Sequence, residues 1–366
     1  MGWPMRDPSL AFASTYSEAR AKFVEAARTR GRGVESEELT GIRGAQGEAL
    51  ATDAARVGRD DAPALVVLTS AMHGVEGFCG SGCQVAWLAD DACVEAASRA
   101  DIAVLLVHAV NPWGFSRLSR TNEDNVDLNR NFRDFTRPAP PNPAYAAVHD
   151  AVVPATWPPT RENEAALAEF ARRHGDRALQ TAITSGQCDR ADGLFYGGRA
   201  PAWSNTTLRR LLRRHGARAR RIAWIDFHTG LGPCGHAEKI YMGENVVADV
   251  ERARAFWGAD VTSYYDGSSS SAPLSGVCYR AALEECPHAE LTAIALEVGT
   301  VELTRVIGAL RADQWLANHP DTGEAPRSAI KRAVRDAFYV DRGDWKAMVW
   351  GQARAAIGAA LRGLTR

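Results

Sequence analysis

Four short runs of almost unbroken apolar residues punctuate the chain, at 64–70, 102–109, 222–227 and 292–298. They are rich in Val, Ile and Leu and do not alternate with polar residues. That pattern predicts strands covered on both faces, as in a largely parallel sheet. Helical composition predicts helices over 16–30 and 82–90, near 161–173, 205–216, 248–258, 302–317 and 326–338, and a last one at 344–362. Strand, helix, strand across 64–109 predicts a right-handed crossover unit. Residues 31–62 read as irregular or edge-strand structure, the Pro-rich stretch 138–159 as a long surface excursion, and Ser268–Ser271 with Gly267 as a mobile loop. No internal repeat is evident. The fold class expected is α/β, with a central mixed, largely parallel twisted sheet flanked by helices. A single domain is expected over 1–366, with its core at about 60–340.

In sheets of this kind ligands collect outside the carboxyl ends of the strands. His73 follows the first run, Asn111 the second and His228 the third, while Glu297 stands at the end of the fourth. The segment His73-Gly74-Val75-Glu76 places an imidazole and a carboxylate three residues apart, a two-point grip for a divalent cation. In isolation such a pair reads as a surface turn, and a strand-end histidine as a hydrogen-bonded core residue. Together His73, Glu76 and His228 make the two-histidine, one-glutamate set of catalytic zinc sites. The segment Asn125–Phe132, preceded by Arg120, carries amides and guanidinium groups able to hold a carboxylate by charge-assisted hydrogen bonds. Its alternative is a polar loop that satisfies its own backbone. Asp226 shares a strand face with His228.

Composition narrows the field. Of 366 residues, 46% are hydrophobic and 24% charged, as in ordinary globular proteins, and a formal net charge of −1 supplies no bulk attraction to nucleic acid or anionic membrane. The seven cysteines are scattered without a CxxC pair, so neither a structural zinc site nor a disulfide framework is expected. With no apolar signal core in residues 1–10 and no membrane-length apolar run, the cytoplasm is the default location. The glycine-rich loop at 74–82 lacks a GKS/T ending, and Gly80-Ser81-Gly82 is not a GxSxG elbow, which argues against nucleotide binding and serine hydrolysis.

The motifs His73-x-x-Glu76, Asn125–Phe132, His228 and Glu297, with their HGVEG, NVDLNRNF, DFHTGLG and LEVGT contexts, resemble the zinc carboxypeptidase (carboxypeptidase A-like) family, and more narrowly a bacterial branch of it. The resemblance covers about residues 64–300. It implies that His73, Glu76 and His228 bind zinc and that Glu297 is the general base and acid. It further implies that Arg120 polarises the scissile carbonyl, that Asn129 and Arg130 receive a terminal carboxylate, and that Asp127 orients His73. Family members carry a mobile tyrosine over the substrate; Tyr241, Tyr264, Tyr265 and Tyr279 all lie between the third ligand and Glu297, and Tyr279 is the choice here because a Gly/Ser-rich segment precedes it. Gln187 and Tyr196 either line a pocket or build a structural loop. The expected function is that of a zinc metallopeptidase, a hydrolase removing the C-terminal residue of a peptide or peptide-like molecule bearing a free carboxylate. The alternatives are a deacylase of N-acyl amino acids or small amides with aspartoacylase-like chemistry, and a non-catalytic zinc-binding protein that recognises peptide ends.

Overall fold

The structure, a computed structural model, describes residues 7–31 and 33–366. Its strands are β1 (Val34–Arg43), β2 (Ala49–Val57), β3 (Ala64–Thr69), β4 (Ile102–His108), β5 (Arg221–Thr229), β6 (Ala237–Tyr241) and β7 (Glu290–Val298). They form one seven-stranded sheet in the order β1-β2-β4-β3-β5-β7-β6. The four apolar runs are its four central strands, β4, β3, β5 and β7, all parallel to one another. The β1–β2, β2–β4 and β6–β7 pairs are antiparallel. This is a single α/β domain with a mixed sheet, parallel in the centre and flanked by helices.

Double-sided burial explains the unbroken apolar runs. Val66, Leu68, Val104 and Leu106 pack into one hydrophobic cluster, with the helices Tyr16–Thr29, Gly77–Ala89 and Gly343–Leu364. Leu65, Val67, Leu105 and Val107 point the other way, into a second cluster with the helices Trp203–Gly216 and Tyr279–Glu285. A third cluster joins the helix Pro143–Val152 to Leu303–Asn318 and Glu324–Phe338. All the expected helices form, with ends displaced by a few residues.

Of the two readings of residues 31–62, irregular or edge-strand, the second holds: β1 and β2 form a hairpin at the sheet edge, with a register shift between Glu38 and Arg43. Its outer strand, β1, is mostly exposed and correspondingly charged, so it has no apolar run. The excursion at 138–159 holds the helix Pro143–Val152, started by Asn142, whose side chain accepts from the Tyr145 amide. The chain leaves β3 for β4 on one side and returns to β5 on the other. Such a reversal leaves a crevice at the strand carboxyl ends, where ligand sites form.

Candidate metal centre and its cavity

His73 and Glu76 reach the crevice because the chain turns into a short 3₁₀ turn, Gly74–Glu76, directly after β3. Gly74 makes this possible: a Cβ there would stand 2.1 Å from the backbone carbon of Gly114. His228 lies near the end of the adjacent β5, where it is in register with Glu297 of β7. The three side chains meet. His73 Nδ1 is 2.9 Å from Glu76 Oε1, His228 Nδ1 is 3.0 Å from Glu76 Oε2, and the two Nδ1 atoms are 3.2 Å apart. All three residues are buried, and among the described residues they form the one group of its kind able to hold a metal ion.

The donor set fits zinc. Nitrogen and oxygen ligands about 2.0–2.1 Å from a tetrahedral ion lie roughly 3.3 Å from one another, close to the separations here. The chemistry fits as well, since two imidazole nitrogens and a carboxylate converge on one point. Burial disfavours charge on Glu76, but His73 and His228 outweigh it and hold its carboxyl far below the usual range. Burial also works against a charged ring at His228, yet Asp226 and Glu76 raise its proton affinity well above that of free histidine.

Carboxylates orient both rings from behind. His228 Nε2 donates to Asp226 Oδ2 at 2.7 Å, leaving Nδ1 for a metal. Asp226 is held in turn by the Thr69 hydroxyl at 2.5 Å, which accepts from the Trp224 indole N–H at 2.8 Å, and by the Cys278 thiol at 3.4 Å. His73 Nε2 lies 3.2 Å from Asp127 Oδ1. Arg120 and Arg130 outweigh burial to keep Asp127 well below its ordinary pKa. Thr69, Trp224 and Cys278 escaped the reading of the sequence. The alternation Trp224-x-Asp226-x-His228 on one strand face was the available signal for the first part of this chain.

Glu297 is not part of the triad. One carboxylate oxygen accepts from the Leu231 amide at 3.0 Å, and the side chain lines the cavity above the metal group. Burial first, and the nearby Glu76 carboxylate second, push its pKa up to about 8. A buried carboxyl poised near neutrality is suited to exchanging protons.

Arg120 also lines the cavity, but its donors point at the metal group. It reaches Asp127 Oδ2 at 2.9 Å and Glu76 Oε1 at 3.1 Å, and its third nitrogen lies 2.8 Å from His73 Nε2. Asn129 accepts from the Cys278 amide at 3.0 Å. Arg130 faces the same cavity with two N–H groups committed to the carbonyls of Asn129 and Thr184, while its buried Nε has no partner. Both guanidinium groups stack on Phe195, with carbons 4.9 and 5.5 Å from the ring centre. Phe195 comes from the segment in which Gln187 and Tyr196 were the pocket candidates. Those two instead pair across their own loop, and the Gln187 side chain closes it through Arg190 and Leu194.

Tyr279 does not line the cavity: it begins a helix and is buried in the second hydrophobic cluster. Tyr264 lines it. Asn111, the remaining strand-end candidate, starts the helix Pro112–Ser116 by accepting from the Gly114 amide and takes no part in the cavity. The serine-rich loop is tied down. Arg177 donates to Ser271 O at 2.8 Å, Gln180 to Ser270 O at 3.0 Å, and Glu238 accepts from the Ser270 amide. It supplies Ser271 and Ala272 to the cavity wall.

No curated protein matches the chain. Among solved structures it is similar to carboxypeptidase A from Helicoverpa armigera, with 15% identity and a TM-score of 0.48 over 94% of this chain and 74% of that one. It is also similar to a metallo-carboxypeptidase from Burkholderia cenocepacia, with 11% identity and a TM-score of 0.43 over 94% and 68% of the two chains. Similarity to the murein-tripeptide amidase MpaA from Escherichia coli O157 covers 80% of this chain and 93% of that one, with 16% identity and a TM-score of 0.34. The sequence model that matches is that of the family described as Protein of unknown function (DUF2817); it spans residues 12–352, and the chain belongs to that family.

Proposed function

We propose that this protein is a zinc-dependent hydrolase that cleaves an amide bond, removing the C-terminal residue of a peptide or peptide-like molecule. The observation that carries this reading is the meeting of His73, Glu76 and His228 within hydrogen-bond distance, with the Glu297 carboxyl in register beside His228. His73 and His228 would hold the ion through Nδ1, and Glu76 through its carboxylate. Bound zinc supplies Lewis acidity, which makes water nucleophilic near neutral pH and polarises a carbonyl.

The remaining work falls to the chain. Glu297 takes the proton of the attacking water on its carboxylate and passes it to the leaving amine. Arg120, once it turns from Glu76 to the substrate, donates to the carbonyl oxygen as negative charge develops there. Asn129 and Arg130 bind a substrate carboxylate, with Asp127 and Asp226 fixing the two imidazoles.

A second reading, removal of an acyl group from a small amide, draws support from Arg130. Two of its N–H groups already serve backbone carbonyls, so a terminal carboxylate would meet a partly committed guanidinium. The test is metal content together with turnover on peptides bearing free or amidated C-termini. The carboxypeptidase reading expects one zinc per chain and cleavage that requires the free carboxylate. Equal cleavage of amidated peptides would favour the deacylase, and a zinc-free, inactive protein under zinc-replete conditions would end both.

A further inference from the structure

Phe195 stands where a glycine would be unstrained. Its φ of +54° lies in the left-handed region, an outlier for so bulky a side chain. Glycines at 193, 197 and 198 surround it, yet position 195 itself carries a phenylalanine. The conformation is pinned from both sides. The Tyr145 hydroxyl, on the helix Pro143–Val152, accepts from the Leu194 amide at 2.7 Å, and Gln187 Nε2 donates to Leu194 O at 3.2 Å. Gln187 N donates to Phe195 O at 3.1 Å, and Asp127 N donates to Tyr196 O at 2.8 Å. The last bond joins this segment to the carboxylate that stands behind His73. Strain of this kind persists where the surrounding structure over-determines it, and it gathers at functional sites.

The ring lies under two guanidinium groups at once, with carbons 4.9 Å (Arg120) and 5.5 Å (Arg130) from its centre. Arg130 has few other sources of compensating charge. It is buried, and its closest carboxylate oxygen among the described residues, Asp127 Oδ1, is 4.0 Å away, beyond hydrogen-bond distance. Burial pushes its pKa down to about 10 against the pull of Asp127, and the charge of Arg120 adds to the fall. A buried charge without a close counter-ion is costly. An aromatic face offers negative charge density to a cation, and more effectively where water is excluded.

We propose that Phe195 is a positioning residue that keeps the guanidinium groups of Arg120 and Arg130 side by side in the cavity. A ring face has no directional acceptor, so Arg120 can redirect its N–H groups from Glu76 while its carbon stays over the ring. The consequence for turnover rests on the hydrolase reading above; the holding of the two arginines does not. The plain alternative is a ring that only fills space in the third hydrophobic cluster.

Ring fluorination separates the two, because each fluorine withdraws negative charge from the face and leaves the shape nearly unchanged. Phenylalanine bearing one, two or three ring fluorines is placed at position 195 of the full chain, and the protein is supplied with zinc. Phenylglyoxal, which attacks arginine side chains, is the probe, and modification at Arg120 and Arg130 is followed by peptide mass spectrometry. A desolvated cation–π contact corresponds to about 5–30-fold, so both residues should react stepwise faster, by at least about fivefold at the third fluorine. Phe195→Leu should show an increase at least as large, while the exposed Arg305 should react alike in every protein. Rates at Arg120 and Arg130 that do not follow the fluorines would overturn the proposal, whatever Phe195→Leu does, and leave the ring as packing. Where the wild-type protein cleaves amides, kcat/KM should fall along the same series. A stepwise series in a protein that cleaves none would retain the positioning role and reject the hydrolase reading.

Discussion

His228 and Glu297 are direct partners in the register of the β5–β7 pair, which sets an imidazole of the candidate metal group beside a buried carboxyl. Both belong to rigid central strands, so their spacing is a property of the sheet rather than of a loop. A site built this way loses function in separable steps.

Asp226→Asn should weaken zinc binding by about 10–100-fold, the usual effect of removing the group that orients a metal-bound histidine. The fold should survive, because Thr69 can still hydrogen-bond the amide. Competition with a chromogenic chelator measures the change, and an unaltered affinity would mean that the 2.7 Å contact to His228 does not tune the site.

Glu297→Gln should keep stoichiometric zinc and lose about 10²–10⁴-fold in kcat. Substrate cleavage under single-turnover conditions is the readout. Activity within a factor of three of wild type would remove Glu297 from proton transfer.

The same carboxyl makes a prediction for the metal-free protein. Its folded pKa of about 8 lies above the ordinary 4.5, so between those values the folded state holds a proton that the unfolded chain has released. That contribution to stability is complete below about pH 4.5 and is lost as pH rises through 8. His228, whose proton affinity is also raised in the fold, acts in the same direction. Chelator-treated protein should therefore have a lower urea midpoint at pH 9 than at pH 6, and Glu297→Gln should flatten the difference. A metal-free midpoint that increases with pH over this range would contradict the assignment.

Gly74→Ala should destabilise the protein by about 2–3 kcal/mol and abolish zinc binding, since a methyl group there collides with the Gly114 backbone rather than with a side chain that can move. Denaturant unfolding and metal content should fall together. Normal zinc content in the variant would show that the turn carrying His73 and Glu76 tolerates displacement.

His108 offers a control remote from the cavity. It is buried within β4, and burial depresses its pKa to about 4. Its neutral state stabilises the fold fully above about pH 6.5, and that contribution, of order 3 kcal/mol, fades as pH falls through 4. His108→Asn should lessen the loss of stability between pH 7 and 4.5, measured by urea midpoints. An identical pH dependence in the variant would place the acid sensitivity elsewhere.

The central architecture was legible because its cause is local. Strands covered on both faces must be apolar throughout, and β3, β4, β5 and β7 announce themselves by that fact. The edges were legible only in part: residues 31–62 read as irregular or edge-strand structure because β1 is largely exposed, and β6, with only five residues, accumulates no apolar signal. The strand-end positions of His73, His228 and Glu297 were likewise visible, and the structure brings all three to one cavity.

Other features depend on contacts that no local pattern encodes. Cys278 reaches Asp226 across 52 positions, Tyr264 rather than Tyr279 lines the cavity, and Arg130 turns two donors to backbone carbonyls. The amino-acid order alone determined which residue types stand at the ends of which buried strands, because burial and strand period act over a few neighbours. Tertiary structure decided which of those ends are adjacent and which donors remain free, because both depend on strand order and on packing between segments far apart in the chain.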